Sequence, residues 1–432
     1  MKNSKYLGFF FVLSLTAALY WFGSMMWEYD HHLRYMYSDQ EGYYMYLPAV
    51  FIHGGFENIP VRDTFEYKVY PNTNKIFTRF TYGVALLEAP FWLAAHLSRF
   101  IQGLPLNDPF GNDYSVSILL SASFYTSLGL YFLFLFLKRY IKSDFVAWLS
   151  VAIILLGTNL PYLATRQSGM SHHYTFCLVS ILFYYLPIFY EKKTPSIKNT
   201  LLISFLCSLI VLIRPTNVLI IFVALLFDIS RLAHIRERSQ WFLSNLKTLS
   251  YGFIIAIAVW MPQFIYWHYL SGDWLFYSYT DATFKYFSDP YLWQIFFHPC
   301  NGFLVYSPVM LLSLMGLGIT AWRNELQGRW ILLSFIILSY LCASWSCWWF
   351  GGTYGYRSFI DFYPLLALGL AFLLEKIFTQ KHLIIKCLTI TFIFLCILIN
   401  IRMIMYFYFF QVEFLGEHTD KLIEAWRSCL WL

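Results

Sequence analysis

Two carboxylates two residues apart, Asp39 and Glu41, stand in the run Ser38-Asp39-Gln40-Glu41-Gly42-Tyr43-Tyr44. An acid in such a place could take a proton from a hydroxyl nucleophile or hold a divalent cation. It could equally be a solvated pair that opens a loop. A second cluster, Arg166-Gln167-Ser168-Gly169-Met170-Ser171-His172-His173, combines one cation with adjacent histidines. Neighbours on a helix point to different sides, so a bidentate metal site from this pair is disfavoured, and a hydrogen-bonded structural histidine is the plainer reading. A third, Arg214-Pro215-Thr216-Asn217, interrupts an apolar stretch. A guanidinium there needs an anion, either a loop carboxylate or a substrate phosphate.

A fourth cluster runs from Trp345 to Asp361 and contains Trp348-Trp349-Phe350-Gly351-Gly352-Thr353-Tyr354-Gly355-Tyr356-Arg357. An interfacial aromatic belt explains its tryptophans. Its glycines point instead to close backbone approach beside a fixed guanidinium. The fifth, His298-Pro299-Cys300-Asn301-Gly302-Phe303, precedes Tyr306-Ser307-Pro308, and Lys285 lies in the segment before it. One carboxylate cluster, several cations and many aromatic rings suit a site where an anionic lipid meets a sugar, against which aromatic faces stack.

The elements that carry these clusters follow from composition. Of 432 residues, 59% are hydrophobic, 22% aromatic and only 12% charged, against about 25% charged in an average soluble protein. A soluble globule cannot hide so much apolar surface. Soluble enzymes, disordered tails and nucleic-acid modules are excluded. The net charge of +6 is scattered between apolar blocks, so no nucleic-acid partner is expected. Five cysteines (Cys177, Cys207, Cys342, Cys387, Cys396) fall in apolar runs, and only Cys300 and Cys429 read as exposed. The chain therefore reads as an all-α polytopic membrane protein in contact with membrane lipids.

A bilayer core of about 30 Å takes roughly 20 apolar residues per helix. Blocks of that kind occur at 7–27, 114–137, 145–164, 174–190, 249–270, 303–322, 330–349, 362–378 and 383–406. The first is too long for a signal peptide and reads as an uncleaved span. Two segments are ambiguous: 81–101, which contains Glu88, Pro90, His96 and Arg99, and 200–229, which Arg214-Pro215 interrupts. The positive-inside rule decides both. If 81–101 stays on one side and 200–229 crosses twice, 17 of the 30 cations share one face: Lys2, Lys5, Lys138, Arg139, Lys142, Lys192, Lys193, Lys198, Arg231, Arg236, Arg238, Lys247, Arg323, Arg329, Lys376, Lys381 and Lys386. The expectation is thus about 11 transmembrane helices (10–13) in one domain, 1–432, with a cytoplasmic N-terminus. Segment 81–101 becomes a juxtamembrane or re-entrant pair of short helices. Segments 28–113, with ten acidic residues, 271–302 and an amphipathic tail, 407–432, lie outside.

In this order of features the sequence resembles the GT-C superfamily of membrane glycosyltransferases. It is most similar to the branch that uses polyprenyl-phosphate sugars, which includes protein O-mannosyltransferases and lipid A aminoarabinose transferases. Asp39-Gln40-Glu41-Gly42-Tyr43-Tyr44 matches the family's acidic motif after the first span. Tyr82 to Phe100 resembles its juxtamembrane helices, and Trp348-Trp349-x-Gly-Gly-x-Tyr-Gly-x-Arg357 resembles a motif of bacterial members. The second acid is Glu where the family has Asp, and the Lys-Pro-Pro loop signature of aminoarabinose transferases is absent. The resemblance leaves sugar and acceptor open.

It implies an inverting transfer from a polyprenyl-phosphate sugar to an envelope glycan, lipid or protein at the outer face of a bacterial inner membrane. Asp39 would be the base. Glu41 would share the acceptor's hydrogen bonds or, with Asp39, hold a divalent cation, though no metal or other cofactor is obligatory. Arg357, Arg214, Arg166 and Lys285 are the candidate donor-phosphate ligands. Tyr43, Tyr44, His172, His173, Trp349 and Tyr354 are the candidate sugar and acceptor contacts. The alternatives are a transporter or flippase of lipid-linked sugars, a ligase that uses a diphosphate-linked carrier, and a purely structural membrane protein.

Overall fold

The computed structural model describes residues 2–29, 38–60, 68–70, 73, 75–229, 232–279, 282–325, 327–409, 420, 422–424 and 427. Arg231, Cys429 and most of the 407–432 tail lie outside the described residues, as do the side chains of Lys2 and Lys5. The protein is all-α and 74% helical. Among the described residues the only sheet is a two-stranded antiparallel pair, Lys68–Val69 with Ile76–Phe77. Among the described residues seven helices, Gly83–Ile101 included, are long and apolar enough to cross a membrane, or eight if the bent pair Asp144–Leu156 and Leu160–Arg166 is one span. This is the build of a multi-pass membrane protein.

Long apolar runs satisfy their backbone internally as helices, and packing orders them. The Asn112–Leu137 and His172–Tyr190 helices run side by side in the same direction. Tyr125 meets Tyr174, Gly129 lies against Phe176 and Cys177, and Phe136 meets Phe183. The Met310–Arg323 and Tyr363–Thr379 helices are also parallel, and they touch through Gly316 and Gly369. The Lys2–Tyr29 helix runs the opposite way along Asn112–Leu137, with Gly8 at Tyr131 and Gly23 at Leu119.

Several expected spans are broken. The 145–164 block bends by 52° between Asp144–Leu156 and Leu160–Arg166, where Pro161 opens the second helix. The 303–322 block splits into Phe303–Tyr306 and Met310–Arg323 around Ser307-Pro308, because the residue before proline is pushed out of helical geometry. The 330–349 block stops at Ser344, so Trp345 to Phe350 belong to a loop.

The two ambiguous segments are informative. Residues 197–225 fold back on themselves: Ile197–Ile213 leads to Arg214 beside His172, and Val218–Leu225 returns until the Ala224 carbonyl accepts from Tyr190 Oη at 3.3 Å. Segment 81–101 is one 19-residue helix, Gly83–Ile101, rather than the pair of short helices expected. Pro90 lies inside it without breaking it. Its ring and ion-pair contacts with Asn112–Leu137 fall on Asp113, Tyr114, Phe124 and Tyr125, between the start of that helix and its middle.

Two ends of the bundle result. At one, the cation-bearing turns interlock. Lys142 N donates to Glu375 Oε1 (2.6 Å), Trp241 Nε1 to the Lys192 carbonyl (2.9 Å) and Trp330 Nε1 to the Ile229 carbonyl (2.7 Å). At the other, all five clusters singled out in the sequence converge.

Candidate functional site: a cationic cavity with a half-buried carboxylate

At that second end lies a cavity of about 440 Å³. Its floor and walls come from segments far apart in sequence: Ser38 to Tyr43, Arg79 and Phe80, Tyr162 to His172, Arg214, Tyr279, Trp345 to Arg357, and Phe407.

Asp39 opens a six-residue helix, Asp39–Tyr44, just after Ser38, whose φ of +54° turns the chain. Gln40 Oε1 accepts from Gly169 N at 2.9 Å and joins this helix to the Arg166–His173 cluster. Thr78 Oγ1 donates to the Gly42 carbonyl (2.8 Å), and a Cβ at Gly42 would sit 2.5 Å from the Phe80 ring. The glycine therefore permits a close approach that a side chain at this position would block. Tyr43 Oη meets Ser171 Oγ at 3.2 Å, and burial pushes its hydroxyl up to about 12. Its neighbour Tyr44 faces away, accepting from Trp92 Nε1 and donating to the Pro109 carbonyl.

The Trp345–Arg357 segment forms the facing wall. Asn301 Nδ2 holds it by bonds to the carbonyls of Trp349 (2.8 Å) and Gly351 (2.9 Å). Gln167 holds it again, donating to the Gly352 carbonyl and accepting from Thr353 Oγ1. Gly355 has φ +70° and would carry a Cβ 3.0 Å from Tyr306 Cβ, so no larger residue fits. This scaffold places Arg357 Nη2 at 2.5 Å from Asp39 Oδ2. Arg357 Nη1 points at Met170 Sδ, 3.7 Å away, and its Nε is buried with no hydrogen-bond partner among the described residues.

Arg214, at the interruption of its helical hairpin, is tethered differently. Its Nη1 donates to Asp361 Oδ2 at 2.9 Å, and Nη2 lies 3.4 Å from Ser358 Oγ. Asp361 is 1% exposed, and its other oxygen lies 3.0 Å from His172 Nδ1. That ring nitrogen is also 3.1 Å from Arg214 Nη1, and it can serve one of the two at a time. The anion that Arg214 needs is thus supplied by a carboxylate at the start of the apolar run 362–378.

Six of the twelve expected site residues therefore share the cavity wall: Asp39, Tyr43, Arg166, His172, Arg214 and Arg357. Glu41, Tyr44, His173, Lys285, Trp349 and Tyr354 do not line it. Glu41 and His173 are buried. Tyr354 is fully buried on Asn400 Oδ1 (2.7 Å), and Lys285 lies over the Tyr286 ring. Trp349 contributes its backbone carbonyl to the Asn301 clasp, and Trp345 takes the place on the wall. Cys300 is fully buried, correcting its reading as exposed, while Cys347 lines the cavity. A divalent cation at Asp39 and Glu41 does not fit: Asp39 is engaged by Arg357, and Glu41 is off the wall. Among the described residues, no three His, Cys, Asp or Glu side chains are grouped to hold a metal.

Sequence reasoning did not single out Arg79, Tyr279 or Asp361. Ser278 Oγ donates to the Arg79 carbonyl at 2.5 Å and brings the two long segments together over the cavity. Arg79 is one of six cations in segment 28–113, so nothing in the sequence set it apart. An acid at the mouth of an apolar helix was the signal for Asp361, since it needs a buried partner.

Among the described residues the wall carries four arginines, Arg79, Arg166, Arg214 and Arg357, and one acid, Asp39, with Arg214 also paired to Asp361 behind it. The balance favours a ligand with negative charge, and the aromatic members offer apolar faces beside it. No protein-family model matches the sequence, and no curated protein matches it.

Proposed function

We propose that this protein is an inverting membrane glycosyltransferase with a GT-C-like fold. It moves a sugar from a polyprenyl-phosphate carrier to a hydroxyl of an envelope glycan, lipid or protein. The observation that carries this reading is the cavity itself, in which Asp39 faces four guanidinium groups. The sugar phosphate enters with its phosphate among Arg357, Arg166, Arg79 and Arg214. The acceptor oxygen attacks the anomeric carbon as the bond from that carbon to the phosphate oxygen breaks. Its proton passes to Asp39, and the leaving phosphate monoester keeps the bonding pair. Guanidinium donors stabilise the growing negative charge, so the leaving group needs no acid. Single displacement inverts the anomeric centre.

Eleven passes are supported by the alternation of helix direction from Lys2–Tyr29 to Leu383–Phe409, with Gly83–Ile101 left on the cavity side. The interlocked turns rich in Lys and Arg then face the cytoplasm, and the cavity faces the outer side of a bacterial inner membrane. Purified protein in detergent, given a panel of polyprenyl-phosphate sugars, is expected to consume one of them. Asp39→Asn is expected to stay folded and to lose at least about a thousandfold in rate, as removal of a general base does at the upper end. Folded wild type that consumes no monophosphate donor sinks the reading and moves weight to a diphosphate-linked ligase or a transporter.

A further inference from the structure

The presumed base and the presumed phosphate ligand of this site are bonded to each other. Asp39 Oδ2 is 2.5 Å from Arg357 Nη2, and both side chains are partly open to the cavity, 25% and 13% exposed. Arg357 is otherwise poorly satisfied. Its Nη1 has only a thioether sulfur at 3.7 Å, a weak acceptor, and its Nε is buried without a partner among the described residues. Arg214 is the opposite case, held by Asp361 and Ser358 and so fixed in place. Of these two, Arg357 is the guanidinium with unmet demand for acceptor oxygens.

We propose that Asp39 and Arg357 form a latch that the donor's phosphate opens. The phosphate presents several oxygens to a planar fork that now has one carboxylate oxygen, and it draws Arg357 away from Asp39. While the site lacks donor, Asp39 Oδ2 is engaged by Arg357 Nη2; once the phosphate draws Arg357 away, that oxygen is free to accept the acceptor's proton. Donor binds first, acceptor second, and an acceptor alone is not activated. This rests on the donor-phosphate reading above and adds to it an order of events and a coupling between two residues.

The latch predicts that removing the base tightens donor binding. Full-length protein in detergent is titrated calorimetrically with geranyl phosphate and, separately, with inorganic phosphate. Asp39→Asn, and Asp39→Ser as a second variant in case one fails to fold, are expected to bind about two- to fivefold tighter than wild type, the range for freeing a partly exposed ion pair. Deleting any nearby negative charge would also help an anion, so a double-mutant cycle separates the two effects. In an Arg357→Gln background, where Arg79, Arg166 and Arg214 still draw the phosphate, the gain from Asp39→Asn is expected to vanish. Unchanged or weaker binding by the Asp39 variants overturns the latch. A gain that persists in full without Arg357 also overturns it and leaves Asp39 as a point charge. If folded wild type binds neither ligand, the donor-phosphate reading itself has failed; if it binds both and the variants show no gain, the latch alone has failed.

Discussion

At the scale of single residues, the buried pair Arg214–Asp361 is the most consequential contact in the cavity wall. Asp361 is nearly inaccessible, so its charge is tolerated because Arg214 and His172 surround one side of it. Removing one partner of such a pair strands the other. Asp361→Asn is expected to cost about 3–5 kcal/mol, read as a lower unfolding midpoint in detergent. A variant as stable as wild type would show that Arg214 is held by other means. Tyr43 gives a second test. Its hydroxyl, pushed up to about 12 by burial, keeps its proton at neutral pH and cannot be the base. A group raised this far titrates only well above the working range, so Tyr43→Phe is expected to leave the shape of the pH–rate profile unchanged. A displaced limb in that profile would return Tyr43 to the list of proton acceptors.

At the scale of elements, the loop from Trp345 to Arg357 depends on side chains from elsewhere. Asn301 makes two bonds to its backbone, worth about 1 kcal/mol each in net stability. Their larger effect is on where Arg357 points. Asn301→Ala is expected to lower transfer by about a hundredfold while shifting the unfolding temperature little, since misplacement of a catalytic group by about 1 Å has that scale of cost. The helices Met310–Arg323 and Tyr363–Thr379 approach more closely than any side chain allows: a Cβ at Gly316 would clash with the Gly369 carbonyl oxygen. Gly316→Leu is expected to destabilise by at least about 3 kcal/mol or to prevent assembly, visible as aggregation in size-exclusion chromatography.

At the scale of the molecule, the cavity and the cation-rich turns occupy opposite ends of one bundle. With the orientation proposed above, this arrangement predicts a labelling pattern. Cys347, on the cavity wall, is expected to react with a membrane-impermeant maleimide added to intact spheroplasts. A cysteine at Lys142, in the far turn bonded to Glu375, is expected to react only after permeabilisation. The reverse pattern would invert the protein and place the transfer reaction on the cytoplasmic side. The Gly83–Ile101 helix belongs to this scale too. Its exposed Leu86, Leu93, Leu97, Phe100 and Ile101 need an apolar neighbour, and the helix is itself long and apolar enough to cross a membrane.

Composition and the spacing of apolar runs determined that the chain is helical and membrane-embedded, because a bilayer admits few other ways to satisfy a backbone. Charge placement chose the hairpin at Arg214, and short motifs marked Asp39, Arg166, His172 and Arg357 as neighbours of something. What the sequence could not carry was direction. Tyr44 and Tyr354 stand in the same motifs as Tyr43 and Arg357, yet they turn into the core: Tyr44 because one helical step swings a side chain by a large angle, Tyr354 because its loop points it at Asn400. Arg79 and Tyr279 reach the cavity only because two long segments fold over it and bond to each other. The ion pairs were decided last. Asp361 meets Arg214 across 147 residues of chain, and Asp39 meets Arg357 across 318. Separations of that length leave no local pattern, so only the packed bundle could say which charge answers which.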